Sequence, residues 1–215
     1  MASYKVDISY ERLISEYPSA PTGAGVRVEM SEASYGSFDN EPSFTPETIE
    51  VYHPDGRLPE FSNDNIIDVT GHLDDFIRMD MEDEAYSAHS TGVARNLFSS
   101  NSIAHGVSQV DVYFASDWFE HGLNIFDPVY ENTLARDIRV SSHSWVVNPD
   151  PDNNSSAVFL TKTDWLIDKE ERSVVSGLIN SSGTNRKLLS NAYNNINVGK
   201  SDGNNGQGTS DIDAY

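Results

Sequence analysis

The sequence contains no cysteine, which excludes disulfide bonds, zinc-thiolate sites and thiol nucleophiles. Basic residues are scarce as well, with 14 Lys and Arg against 34 Asp and Glu, and the formal net charge is −20. Because so acidic a chain repels phosphate backbones and shows no basic patch, we expect no nucleic-acid binding. Long apolar runs are also missing. No stretch approaches the roughly 18–20 residues that span a bilayer, and no basic segment followed by an apolar run marks a signal peptide.

The 215 residues, of which 37% are hydrophobic, are enough for one domain with a hydrophobic core. Two interpretations of the acidic excess stay open, a salt-tolerant surface and bound cations. The densest acidic run lacks the ligand spacing of a calcium loop, so a solvated face is the favoured interpretation. Its members are Asp74, Asp75, Asp80, Glu82, Asp83 and Glu84.

An alternating pattern after two glycines predicts a strand that ends at an acidic residue. Val26, Val28 and Met30 alternate with polar residues, and Glu32 follows them. In an open parallel sheet, chemistry gathers at the carboxyl ends of the strands. Glu32 is therefore a candidate site residue.

A helical pattern follows His89. Val93 and Leu97, together with Ala94 and Phe98, recur at helical spacing, which places His89 in the first turn of a short amphipathic helix. We expect Val93 and Leu97 to be its buried face. A single histidine there is most often an ordinary, partly exposed one; its neighbours along the chain make it a candidate base.

Strands and helices alternate along the rest of the chain, which predicts an α/β fold with a parallel sheet. The stretch from about 34 to 70 is rich in Pro, Ser, Asn and Asp and is predicted to be an irregular surface insertion with a small hairpin. The whole of 1–215 is predicted to be a single domain. The other predicted elements are helices at 4–17, 117–126 and 156–169 and strands at 109–115, 138–147, 173–179 and 196–199.

The order of the motifs resembles that of the subtilisin-like serine proteases, the subtilases, from about residue 22 to 203. The resemblance is carried by the strand that leads to Glu32, by a helix that opens on His89 with Thr91, Val93 and Ala94, and by the later segments. Those segments are Ile103-Ala104-His105-Gly106-Val107, Ser144-Trp145, Val174-Val175 running to Asn180, and Ile196-Asn197-Val198-Gly199. The resemblance implies a three-layer sandwich around a mostly parallel sheet.

The resemblance also implies roles for particular residues. His89 would be the catalytic histidine, Glu32 would replace the family's aspartate, and Asn180 would donate its side chain to the oxyanion. Ser144, Trp145 and Val146 would form the strand that pairs with the substrate backbone and borders the specificity pocket. The chain departs from the family motif at Ser90 and Arg95, which replace glycines, at Gly92, which replaces a histidine, and at His105, which replaces a proline.

A Ser-His-acid mechanism needs a serine hydroxyl that the imidazole can deprotonate. Gly208-Thr209-Ser210 resembles the family's nucleophile motif, but Ser210 follows Gly199 too closely and no long apolar helix comes after it. We therefore expect that Ser210 is not the nucleophile and that the nucleophile segment, with the C-terminal part of the fold, is absent from this chain.

Three hypotheses about function stay open. The first is a subtilase-type endopeptidase domain acting on peptide or protein substrates, extracellular if the intact parent resembles its family in this respect. The second is an inactive subtilase-like module that captures extended peptides by strand addition. The third is an acidic α/β scaffold without a site. We expect no cofactor and no metal, with calcium left open.

Overall fold

The computed structural model describes residues 10–33, 52–62, 65–68, 86–126, 134, 137–146, 155–177 and 189–198. Within these residues there are six strands: β1 (Arg27–Glu32), β2 (Asn65–Asp68), β3 (Gln109–Phe114), β4 (Ile138–His143), β5 (Ser173–Gly177) and β6 (Ile196–Val198). The longer helices are α1 (Tyr10–Glu16), α2 (Ala88–Leu97) and α3 (Ser155–Glu170). Shorter elements are 3₁₀ turns at Pro59–Phe61 and Leu189–Asn191, one α-helical turn at Ala115–Asp117 and a π-helix at Trp118–Gly122.

The six strands form one sheet in the order β2-β3-β1-β4-β5-β6, and all five pairings are parallel. The fold is therefore α/β, as the alternation of patterns predicts. All carboxyl ends of the strands lie along one edge of the sheet. β1 lies between β3 and β4, so Glu32, its last residue, reaches the middle of that edge.

Helices cover both faces of the parallel sheet. The central strands are apolar on one face only, and on the other face they bury polar side chains, namely Glu29, Ser31, Asp111, Ser141 and His143. On one face α2 packs over β1 and β3, and the buried residues there are Val28, Met30, Phe61, Ala94, Phe98, Val107, Val110 and Val112. On the other face α3 packs over a second cluster, which comprises Tyr113, Ala115, Trp118, Leu123, Leu134, Trp145, Phe159, Leu166, Val174 and Leu189. The two clusters make three layers of helix, sheet and helix.

Two expectations about local structure are wrong, and a third holds in part because Val93 and Leu97 do pack against the core. Residues 65–68, inside the stretch expected to be an irregular insertion with a hairpin, form the parallel edge strand β2. The helix expected at 117–126 is a single α-turn followed by the π-helix. In α2 the fully buried positions are Ser90, Thr91 and Ala94, whereas Val93 and Leu97 are only partly buried.

The first helix is observed from Tyr10, the first described residue, to Glu16, close to the end expected from Pro18. Among the helices that the structure describes, none combines the length and the apolar character needed to cross a bilayer.

Candidate active site

Glu32 lies at the carboxyl end of β1 and its side chain is completely buried, with 0% exposure. The alternation along β1 places it on the face that carries Val28 and Met30, beneath α2. Its neighbour in register on β3 is Phe114. A carboxylate in this position is desolvated by the core of the domain.

His89 lies in the first turn of α2, as expected, because Ser87 caps the helix by accepting a hydrogen bond from the Ser90 amide at 3.1 Å. Its side chain is 46% exposed. The imidazole therefore has one edge toward the buried carboxylate and another toward solvent. A substrate can reach such a ring from outside without passing through the core.

The two side chains meet: Nε2 of His89 lies 3.3 Å from Oε2 of Glu32. This separation is within ion-pair range, but neither carboxylate oxygen of Glu32 accepts a hydrogen bond of good geometry. Catalytic hydrogen bonds are often long or poorly aligned without substrate. The contact is therefore a close approach of carboxyl and imidazole groups, and it is an ion pair when His89 is protonated and Glu32 is ionised.

The pKa values of both groups are shifted upward. Burial raises the pKa of Glu32, and the His89 ring and the Ser144 hydroxyl offset part of this effect. Contact with Glu32 raises the pKa of His89 above 6.5, against a smaller opposing effect of burial, and the main-chain carbonyl of Ser144 raises it further. The surroundings of the ring therefore favour the imidazolium form.

Ser144 lies next to this pair because of the sheet register. Ser31 is paired with His143, so one residue further along Glu32 and Ser144 are neighbours at the ends of β1 and β4. Both the hydroxyl and the carbonyl of Ser144 act on the pair, the hydroxyl on Glu32 and the carbonyl on His89. Of the residues expected to bind substrate, Ser144 is the one that the structure brings to the candidate site.

Trp145 and Val146 lie differently from Ser144. The Trp145 side chain is buried in the core on the α3 side, where its Nε1 donates to Ser31 Oγ at 3.1 Å and to His143 Nδ1 at 3.2 Å. Val146 is 44% exposed. A role for these two residues in pairing with a substrate stays a prediction about their backbone, since the Trp145 side chain is occupied in the core.

Several residues expected to matter fall outside the described residues. These are Asn180, Ser210 and the acidic run from Asp74 to Glu84. Among the residues that the structure describes, no group of three or more histidine and acidic side chains is arranged to hold a metal ion.

Sequence reasoning missed the residues that hold the start of α2. Residues 52–62, which we call the strap, lie against that turn: Tyr52 O accepts from Ser90 Oγ at 2.6 Å, and the Asp55 amide donates to Thr91 Oγ1 at 3.0 Å. The available signal was the presence of two hydroxyl residues directly after His89. An amphipathic pattern does not predict that such residues are buried.

The arrangement has the two side-chain types that a proton-transfer site needs, a carboxylate and an imidazole in contact. The buried carboxylate fixes the orientation of the imidazole and stabilises its protonated form, which the ring adopts when it removes a proton from a nucleophile. The pair lies at the carboxyl edge of the sheet, the edge at which ligands generally bind in open parallel sheets.

In comparisons with known proteins, no family model matches the chain and no curated protein is significantly similar to it.

Proposed function

We propose that the chain is a subtilisin-like peptidase domain in which His89 is the general base and Glu32 orients it. The observation that carries the proposal is the 3.3 Å contact between the His89 ring and a completely buried carboxylate at the carboxyl edge of the sheet. A glutamate serves in place of the family's aspartate because its additional methylene reaches across from the strand end.

The strand order supports the same proposal. The acid is on the central strand, the base is on a helix above it, and the segment that begins at Ser144 leaves the neighbouring strand beside them. A peptide lying along residues 144–146 would pass the His89 ring. The resemblance assigns the oxyanion donor to Asn180 and the nucleophile to a serine that joins this same edge of the sheet.

The test is hydrolysis of a mixture of quenched fluorescent peptides, with a serine-directed fluorophosphonate to label the nucleophile. Because the nucleophile is expected to lie outside this chain, we expect the 215 residues alone not to be labelled. In a version that also supplies a subtilase nucleophile segment, we expect His89→Ala to lower turnover about 10²–10⁴-fold, the usual contribution of acid-base catalysis, and Glu32→Gln to lower it as well. His105→Asn, a change at another exposed histidine, is the matched control and should leave turnover unchanged. Wild-type turnover in His89→Ala would contradict the assignment, and labelling at Ser210 would show that Ser210 is the nucleophile.

A second candidate function, capture of extended peptides without hydrolysis, is favoured by one further observation. The chain continues past His143, the last β4 residue paired with β1 and β5, and Val146 beyond it is exposed. Such a segment can accept a peptide as an added strand. Peptide binding without turnover would support this candidate. Val146→Pro, which removes a backbone N–H, should then abolish binding, while Val146→Thr should retain it.

A further inference from the structure

The strap is fastened to the first turn of α2 by buried hydroxyl groups. Ser90 is fully buried and donates to the carbonyl of Tyr52 at 2.6 Å. Thr91, 4% exposed, accepts from the Asp55 amide at 3.0 Å. These two residues immediately follow His89, so the strap holds the turn that carries the imidazole.

The Thr91 hydroxyl has a second partner, since it donates to the carbonyl of Ser87 at 2.8 Å. The Ser87 amide in turn donates to the carbonyl of His53 at 2.9 Å. The strap and the capping residue of α2 are thereby joined twice, directly through the Ser87 amide and indirectly through the Thr91 hydroxyl. Loss of that hydroxyl would leave the Asp55 amide without its partner in a buried position.

The other side of the strap contacts the strand end beside the acid. The Tyr52 ring packs against the Phe114 ring, with centroids 5.5 Å apart. Phe114 is the residue of β3 that is in register with Glu32. The strap therefore connects the helix that carries His89 with the strand next to Glu32.

Two of the chain's departures from the subtilase motif serve this connection. Ser90 and Arg95 stand where the motif has glycines, and both bind the strap: Ser90 through the Tyr52 carbonyl, and Arg95 by an ion pair of its Nε with Glu60 Oε1 at 2.7 Å. The residues of α2 that differ from the subtilase motif are thus residues that bind the strap.

We propose that Thr91 and Ser90 are positioning residues, which hold the first turn of α2 through the strap so that the His89 ring lies against Glu32. The proposal rests on the proposed function only in taking the His89–Glu32 pair to be catalytic. Catalytic side chains need placement to within about 0.5 Å, and residues at helix ends otherwise fray. The His89 ring is half-exposed and lies at the start of a ten-residue helix, so it needs contacts from outside the helix to hold it in place.

The charged side chains of the strap do not interfere with a measurement of the His89 pKa in variants of Thr91. Asp55 is paired with Arg57 at 2.8 Å, and Glu60 is paired with Arg95, so a change at Thr91 leaves these charges in place. The titration of His89 then reports how closely its ring lies to Glu32. Hydrogen exchange of the Asp55 amide reports the strap contact itself.

The experiment compares Thr91→Val, which removes the hydroxyl at constant shape, with Thr91→Ser, which retains it. The His89 pKa is measured by NMR titration of the ring. We expect wild type and Thr91→Ser to titrate above 6.5 and Thr91→Val to shift downward toward 6.5. The Asp55 amide should exchange about tenfold faster in Thr91→Val only. If Thr91→Val does not fold, Ser90→Ala replaces it, with the same expected shift of His89.

Leu166→Ala is the control for a purely structural effect, because Leu166 is buried on the opposite face of the sheet. It should lower global stability and leave the His89 titration unchanged. An unchanged His89 pKa in Thr91→Val, or an equal shift in Leu166→Ala, would overturn the inference. A raised wild-type His89 pKa that falls in Thr91→Val, in a protein that neither cleaves nor binds peptides, would support the inference while refuting the proposed function.

Discussion

At the scale of single residues, the face of β1 opposite the candidate site holds a buried ion pair. Glu29 and Arg172 are both 0% exposed, and Oε2 of Glu29 lies 2.9 Å from Nη1 of Arg172. Trp118 Nε1 donates to the other carboxylate oxygen at 2.5 Å. The charges compensate each other where water does not reach them, so each is costly without the other.

We expect Glu29→Gln to lower the free energy of unfolding by up to about 3–5 kcal/mol, because it removes the shorter of the two ion pairs of buried Arg172 and leaves the one with Glu170 Oε2 at 3.3 Å, while keeping an acceptor for Trp118. Urea unfolding followed by circular dichroism measures the change. Asp168→Asn, at an exposed ion pair, is the control and should cost less than about 1 kcal/mol. A loss for Glu29→Gln as small as that of the control would contradict a stabilising role for the buried pair.

His143 makes the native state sensitive to acid. Burial, together with the nearby Arg172 charge, lowers the pKa of His143 from 6.5 to about 3, and Trp145 Nε1 donates to its Nδ1. Below pH 6.5 the unfolded chain binds a proton that the native state does not bind until about pH 3. The contribution of His143 to stability is thus full above pH 6.5 and is lost as the pH falls, by up to about 1.4 kcal/mol per unit.

The variant His143→Asn keeps an acceptor for Trp145 and cannot take up that proton. Urea unfolding at pH 7, 6, 5 and 4 should show wild type losing stability faster than the variant. The difference between the two free energies should shrink steadily toward pH 4. A difference that stays constant over this range would show that His143 is protonated to the same extent in both states.

At the scale of elements, the turn into β1 depends on two glycines with positive φ, Gly23 at 87° and Gly25 at 79°. A Cβ at Gly23 would also lie 2.7 Å from Val107 Cγ2, whereas one at Gly25 would meet nothing within 4 Å. We expect Gly25→Ala to cost about 1–2 kcal/mol from backbone strain alone, and Gly23→Ala to cost more. Thermal unfolding of the two variants measures this order, and equal losses would contradict the contact with Val107.

The sequence predicts those elements whose patterns are long enough to carry information. β1, β3 and β5 and the sixteen-residue α3 lie where alternation and helical spacing indicate. β2 was missed because only Ile66 and Ile67 are apolar in its four residues, too few to separate a strand from a loop. The π-helix was missed because no side-chain pattern distinguishes it from an ordinary helix.

In the candidate site, too, features that depend on local patterns could be predicted and features that depend on distant segments could not. The positions of Glu32 at a strand end and of His89 in a first turn could be predicted, because both depend on local patterns. The complete burial of Glu32 could not, since it depends on which segments flank β1, and only the register places Phe114 on one side of Glu32 and the residue after β4, Ser144, on the other. The anchoring of Thr91 to the strap is likewise a contact between distant segments.

At the scale of the whole molecule, the net charge of −20 opposes compaction through self-repulsion. The basic side chains that the structure describes all contact acids or carbonyls, and the 14 Lys and Arg of the chain are too few to balance its 34 Asp and Glu. We expect the melting temperature to rise by several degrees between 0.05 and 1 M NaCl, where the screening length falls to about 3 Å. KCl should act equally, and a melting temperature that is unchanged or lower would show that screening of favourable ion pairs dominates.

The central position of β1 has a consequence for biosynthesis. Arg27 begins the strand that pairs with Gln109 on one side and Ile138 on the other, so both neighbours are translated long after it. A nascent chain that has emerged only as far as Phe114 still presents one open edge of its innermost strand. Pairings so distant along the chain make contact order high and folding slow. Because Ser144 comes after β4, the surroundings of the acid can be assembled only once both neighbours of its strand have been translated.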